Sequence, residues 1–312
     1  MKLNFPIISL LTLIAFLSGC QTIPPDTEVS PEQTETQETL PFAFPLALAT
    51  QVSYEDEVTI LRLSQLLTEK KDLTARERAQ LFYERGITYD RMGLNAHSRY
   101  DFNQAITADP TFPEPYNLLG VYLLLVQSYD EAFDAFDSAL ELSDKMQYSH
   151  LHRAIGLYLA KRYGLANKDI ETFYAFDKTD PYRVLWRYII NSQLDEDQAL
   201  RDLQSEQAPE NDKNFAWGIV DVIAGRITEQ QFLSSISNGL KSNTELAQRL
   251  CEAYFYLGHK HKLAGELKIA IYYFKMSVAT NIHDFVEYKY SLMELMSIQQ
   301  MLQKELTKTV SE

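Results

Sequence analysis

Cysteine is almost absent from this sequence: 312 residues contain only Cys20 and Cys251. If one of the two carries a lipid, as argued below, no internal disulfide forms and the chain must fold on burial alone. Basic residues are also scarce, with 29 Lys and Arg against 43 Asp and Glu and a net charge of −14. Nucleic acid is therefore not an expected partner, because its phosphates must be neutralised by cations. Adhesion to anionic lipid through a surface patch is disfavoured for the same reason. An acidic surface keeps a chain soluble, and it also steers basic proteins toward it.

Long apolar runs are missing too. The longest, Phe5 to Leu17, is broken by Pro6, Ser9 and Thr12, and it falls short of the roughly 20 residues that span a bilayer. Behind Lys2 it fits the apolar core of an export signal. It ends in Leu17-Ser18-Gly19-Cys20, a leucine, two small residues and a cysteine. This is the pattern of the bacterial lipobox. The small residues let a signal peptidase close around the backbone, and the thiol can be alkylated by diacylglycerol. The expectation is a signal peptide over 1–19 and lipidation at Cys20, palmitate included. Each buried CH₂ of the acyl chains would contribute about 0.8 kcal/mol to anchoring. Gln21 follows the cysteine; in proteins with this motif Asp there favours the inner membrane, so the expected location is the periplasmic face of the outer membrane.

Catalytic signatures are lacking as well. There is no H-E-x-x-H, no G-x-S-x-G and no phosphate-cradling glycine loop. The six histidines are His97, His150, His152, His259, His261 and His283. The two close pairs are spaced by two, which on a helix directs them about 200° apart and away from a shared metal. Cys251 is expected to open a repeat helix as a buried structural thiol. The carboxylates are scattered, with no scaffold for a glycosidase pair. The reading predicts no catalytic residue, no metal and no cofactor beyond the lipid on Cys20.

What the chain does have is helical periodicity. Residues 20–53 hold the lipidated cysteine and a flexible tether with Pro24, Pro25, Pro31, Pro41 and Pro45, a composition that resists packing. Leu40 to Leu48 is more apolar than a tether needs; docking on the body, docking on a second subunit and plain disorder stay open. Residues 54–78 form an N-terminal helix through Val58, Leu61, Leu66 and Leu67, and Thr74-x-x-Glu77 is a capping box for the next.

Beyond that point the sequence repeats. Gly86, Gly120 and Ala154 fall 34 residues apart. Around them the first unit places Phe82, Tyr89, Ser98, Phe102 and Ala105. The second places Tyr116, Leu123, Ala132, Phe136 and Ala139. The third places His150, Leu157, Ala166, Ile170 and Phe173. A fourth returns with Tyr254, Gly258, Ala270 and Phe274. Apolar residues at i, i+3, i+4 and i+7 give each helix one stripe, and the small residues let paired helices approach. This frame resembles the tetratricopeptide repeat. The expected fold class is all-α: a tetratricopeptide-repeat superhelix (α-solenoid) with additional helices outside the repeat. Repeats are assigned to 79–112, 113–146, 147–180 and 251–284, with two degenerate helix pairs over 181–250 and a closing helix and tail over 285–312. In such repeats the first helix of each pair lines the concave face. Those positions here are Tyr83, Ile87, Asp90, Asn117, Val121, Leu124, Leu151, Ile155 and Tyr158, a mostly apolar groove suited to a protein segment; packing of some of them inside the body or against residues 40–53 stays open. Asn117 lacks the lysines that hold a carboxylate in peptide-clamping repeats.

Several stretches resemble one family closely. Ala79-Gln80-Leu81-Phe82-Tyr83-Glu84-Arg85-Gly86, Asp101-Phe102-x-Gln104-Ala105-Ile106, Ala132 to Ser138, Phe255-Tyr256-Leu257-Gly258 and His283-x-Phe285-Val286-Glu287, together with the lipobox, are similar to the lipoprotein NlpI family of Gram-negative bacteria. The resemblance covers roughly 54–295. It implies a non-enzymatic homodimeric adaptor of the outer membrane. Its partners would be peptidoglycan hydrolases, notably a murein endopeptidase, and a periplasmic C-terminal processing protease, in cell-wall turnover and cell division. A pilotin-like or outer-membrane assembly lipoprotein is the alternative. A cell-wall hydrolase is a third reading, for which the sequence offers no residues.

Overall fold

The computed structural model describes residues 44–311 of the chain. The expected signal peptide, Cys20 and most of the tether lie outside the described residues. Within them the chain forms fourteen helices and no strand.

The first, α1 (Tyr54–Glu69), starts where the Ser53 hydroxyl accepts the Glu55 amide. α2 (Ala75–Arg91) starts at the expected capping box. There the Thr74 hydroxyl accepts from the Glu77 amide, and Glu77 accepts from the Thr74 amide. Helix hairpins follow in chain order: α2 with α3 (Asn95–Ala108), α4 (Pro113–Leu125) with α5 (Tyr129–Leu142), and α6 (Gln147–Leu159) with α7 (Tyr163–Phe176). The segment without a regular frame holds α8 (Pro181–Asn191), α9 (Glu196–Ser205), α10 (Ala216–Ile223) and α11 (Glu229–Ser235). The last hairpin is α12 (Asn243–Leu263) with α13 (Leu267–Val278), and α14 (Val286–Ser311) closes the chain.

The 34-residue interval has a visible cause. A methyl group placed on Gly86 would lie 2.7 Å from the Phe102 ring, on Gly120 2.5 Å from Phe136, and on Gly258 2.7 Å from Phe274. In each hairpin a phenylalanine of the second helix lies flat over the glycine of the first. The third hairpin uses Ala154 and Ile170, both fully buried, so a slightly larger residue faces a narrower partner. The degenerate pair α10/α11 repeats the device at a different spacing, with Phe232 over Gly218 at 2.8 Å. The hairpins also carry ion pairs at a matching interval: Arg85 grips Asp101 through two nitrogens, and Arg153 does the same to Asp169. One apolar core runs from Val121 in α4 to Ile298 in α14.

Two boundaries differ from the sequence reading. α12 begins at Asn243, ahead of the expected 251, because the Ser242 hydroxyl caps it by accepting the Glu245 amide. Cys251 therefore lies inside the helix rather than at its opening. It is fully buried with its Sγ 3.6 Å from Ser277 Oγ, and burial pushes the thiol up to about 12.

The expected tether also ends earlier than residue 53. Phe44 sits among Tyr254, Tyr272 and Tyr273, with ring centroids 5.1–6.3 Å away. Tyr254 donates its hydroxyl hydrogen to the Pro45 carbonyl. The Asn243 amide brackets Leu48, accepting from its N–H and donating to its C=O at 2.8 Å each. The Thr50 amide donates to the Thr280 carbonyl at 3.0 Å. Residues 44–52 thus form a strap docked on the last hairpin, satisfying backbone groups that a tether would leave to water.

Candidate interaction surfaces

The concave face is where the sequence placed a partner, and the chain itself fills it. α14 turns back from the last hairpin and crosses the first helices of the repeats. Lys289 donates to the Asp90 carboxylate at 3.0 Å, while the Tyr122 hydroxyl donates to its other oxygen. Tyr290 meets His152 Nδ1 at 2.8 Å. Glu294 receives Lys262, whose ammonium also donates to the Tyr158 hydroxyl at 3.0 Å.

The nine groove positions are distributed accordingly. Asp90, Val121, Leu124, Leu151, Ile155 and Tyr158 are buried. Asn117 is buried as well, and its side-chain oxygen accepts from the Ser149 hydroxyl at 3.0 Å. Tyr83 and Ile87 are half-buried, Tyr83 resting 5.1 Å from the Phe112 ring. Most of the expected groove is therefore covered by this chain's own residues, while Leu124 and Tyr158 also line the cleft described below. The deep side of α14 explains why the sequence did not reveal this. Glu287, Lys289, Tyr290, Ser291, Met293, Glu294 and Ile298 are the residues sunk into the body, while the apolar stripe of Leu292, Leu295 and Met296 is only half-buried. Two carboxylates, a lysine and a serine on the inner face read as a solvated face until the partners of the charged groups are known.

The electrostatics of this contact are set by burial and by ion pairing. Burial lowers His152 to about 3, with the Lys289 ammonium adding to it, and lowers His259 to about 4 against the pull of Glu294. Both are neutral at ordinary pH. Burial raises the Glu294 carboxyl, but the Lys262 ammonium outweighs it and holds it below its ordinary range. Farther along the same contact, Glu252 and Glu287 are both pushed up, by burial first, and accept from the Tyr182 and Tyr256 hydroxyls at 2.9 and 3.1 Å. Among the described residues no group of three His, Cys, Asp or Glu could hold a metal.

Two open surfaces stand out among the described residues. The first is apolar. On α1 only Leu63 is buried; Tyr54, Val58 and Leu61 stand at i, i+4 and i+7 on the outer face, Tyr54 at 77% and Leu61 at 70% exposure. Leu46, Leu48 and Val52 of the strap are exposed as well. The sequence reading took Val58 and Leu61 for the helix's core-facing side, together with Leu66 and Leu67, which are half-buried. α1 packs on α2 alone among the helices with appreciable contact, so among the described residues nothing covers Tyr54, Val58 and Leu61 on its far side. The second is a cleft of about 330 Å³. It lies between the ends of the second and third repeats and the outer part of α14, and it is lined by methionines, tyrosines and lysines.

No family profile matches the chain. Among solved structures it is similar to a tetratricopeptide repeat protein from Parabacteroides merdae, at 16% identity and a TM-score of 0.45, over 70% of this chain and 78% of that one. It is also similar to MamA from Desulfovibrio magneticus RS-1, at 15% identity and a TM-score of 0.40, over 65% and 94%. A third is the Cut9–Hcn1 complex of the APC/C, at 16% identity and a TM-score of 0.44, over 77% and 46%.

Proposed function

We propose that this chain is a non-enzymatic protein-binding scaffold, held by a lipid on Cys20 at the periplasmic face of the outer membrane and working as a homodimer. Its clients are periplasmic: peptidoglycan hydrolases, a murein endopeptidase in particular, and a C-terminal processing protease. By bringing these together it regulates cell-wall turnover and cell division. The observation that carries the scaffold reading is the division of labour between surfaces. The repeat core and its terminal helix bury charged groups that pair with one another, while α1 and the strap leave large apolar side chains in water. Contiguous exposed apolar side chains mark interaction sites. The self-complementary use of one such helix by two copies would bury both patches in a two-fold contact. The lipobox and the family resemblance support the anchor, the compartment and the client class.

Two measurements test this. Mature protein beginning after Cys20, immobilised and exposed to periplasmic extract at low salt, should retain a murein hydrolase or a processing protease; recovery of neither would sink the adaptor reading. Light scattering at micromolar concentration should give the mass of two chains, and Leu61→Asp should return it to one.

A further inference from the structure

The turn that joins the two helices of a repeat needs one residue in the left-handed region. In the first repeat that residue is Gly93, φ 72°, and in the fourth it is Gly265, φ 77°. The same position in the second and third repeats is Gln127 and Lys161, both at φ 59°. A bulky side chain is uncommon there, because its Cβ crowds the following carbonyl. At Gly93 a side chain would meet the His283 ring at 3.0 Å, whereas at Gly265 nothing stands within 4 Å. Space therefore does not decide which turns carry side chains. What sets Gln127 and Lys161 apart is that both line the cleft against α14. Backbone strain retained at one place in a fold points from the outlier toward a function for its side chain.

The rest of the lining has a consistent chemistry. Lys161, Lys262 and Lys304 face the cleft, and among the described residues no Asp or Glu lines it, in a chain whose net charge is −14. Lys262 is engaged by Glu294 and Tyr158. Lys161 is exposed and has no ion pair among the described residues. Three of the chain's seven methionines, Met293, Met296 and Met301, form the α14 wall. Methionine walls adapt to varied apolar side chains. Gln127, Gln193 and Gln300 add amides that can both donate and accept, the pairing that a peptide main chain requires and an acyl chain does not use. The volume is at the small end of ligand pockets, about 300–1,000 Å³.

We propose that this cleft is a peptide-binding site for a short acidic segment of a client protein, seating one apolar side chain between the methionines and a flanking carboxylate on Lys161. This rests on the scaffold reading and names the chemistry of what is bound. It also gives the terminal helix a second role, since α14 closes the concave face along its inner side and offers a wall to the cleft along its outer part.

The test uses the purified chain and a set of fluorescein-labelled five-residue peptides, each with two Asp or Glu around one Leu, Phe or Met, read by fluorescence polarisation. At least one should bind, and its Asn/Gln counterpart should bind at least tenfold more weakly. The informative variant is Lys161→Gly. It removes the cation and relieves the turn, so affinity should fall at least tenfold while Tm stays equal or rises; a residue with a structural role alone would move the second reading and not the first. Met296→Asp should also weaken binding tenfold. Unchanged affinity in Lys161→Gly, no binding by any peptide, or displacement by decanoate at concentrations equal to the peptide's would each overturn the proposal, the last in favour of a fatty-acid site. Retention of clients from periplasmic extract by a chain that binds no peptide would leave the scaffold standing and the cleft refuted. Peptide binding by a chain that retains no client would do the reverse.

Discussion

Replacing Gly120 with alanine places a methyl group 2.5 Å from Cε1 of Phe136 and 2.8 Å from both Cδ1 and Cζ. Three ring atoms inside the closest approach of carbon atoms leave no torsion that relieves the clash, and Phe136 is fully buried with nowhere to swing. Overpacking of this kind costs about 1–3 kcal/mol. Alanine would return up to about 1 kcal/mol of helix propensity, so the net loss should be about 1–2 kcal/mol. The third repeat supplies the remedy, because Ala154 and Ile170 occupy the same two positions there and are both fully buried. Phe136→Ile alone leaves a void, though it should cost less than the about 3–5 kcal/mol of a Phe→Ala change. Combined, the two substitutions should lose less than the sum of their separate effects by at least about 1 kcal/mol, within the coupling expected of residues in contact. Urea titration followed by far-ultraviolet circular dichroism measures all four corners of the cycle. Gly164→Ala is the control, since nothing lies within 4 Å of that position. Additive losses, or a Gly120→Ala variant as stable as the parent, would refute the idea that a ring over a glycine sets the repeat frame.

Two further predictions concern the terminal helix. Lys289→Met leaves the buried Asp90 carboxylate without its cation at 3.0 Å, which should destabilise the contact by about 3–5 kcal/mol; hydrogen exchange along α14 should accelerate, and unchanged protection would show that the helix is held by apolar packing alone. The paired carboxyls Glu252 and Glu287 are raised above their ordinary 4.5 by burial and, for Glu252, by the neighbouring Glu287. The folded chain thus holds protons that the unfolded chain releases, and stability from this pair should fall as pH rises from about 4.5 toward neutrality. Glu287→Gln should flatten that slope in urea midpoints, and an equal slope in the variant would contradict the assignment.

Much of the candidate site could not have been read from the sequence, and the reasons differ by residue. Val121, Ile155 and Tyr158 belong on the concave side by the repeat frame, and burial there is what their character suggests. What covers them was hidden, because Glu287 and Glu294 lie on the covering face of α14 and only the three-dimensional meeting with Tyr256 and Lys262 makes their burial tolerable. Asp90 reads as a groove acid until Lys289 arrives from 199 positions along the chain. The apolar excess of Leu40 to Leu48 was visible, but not that Phe44 would find three tyrosines on the last hairpin. The turn at Lys161 was legible in principle: the residue stands in the repeat frame where Gly93 and Gly265 stand, and aligning the turns would have singled it out.

The sequence by itself determined the local and near-local order. A helix pairs with its successor and the pair repeats at a 34-residue interval, because a helix's stripe and the glycine under a facing ring are set by side chains within about one hairpin of each other. The tertiary structure decided where the stack's ends go. α14 comes back across the first helices of the repeats, covers most of the face that a partner was expected to fill, and leaves the outer side of α1 and the lysine-lined cleft open among the described residues. Curvature is the sum of small rotations at every interface, and no single residue or spacing encodes that sum.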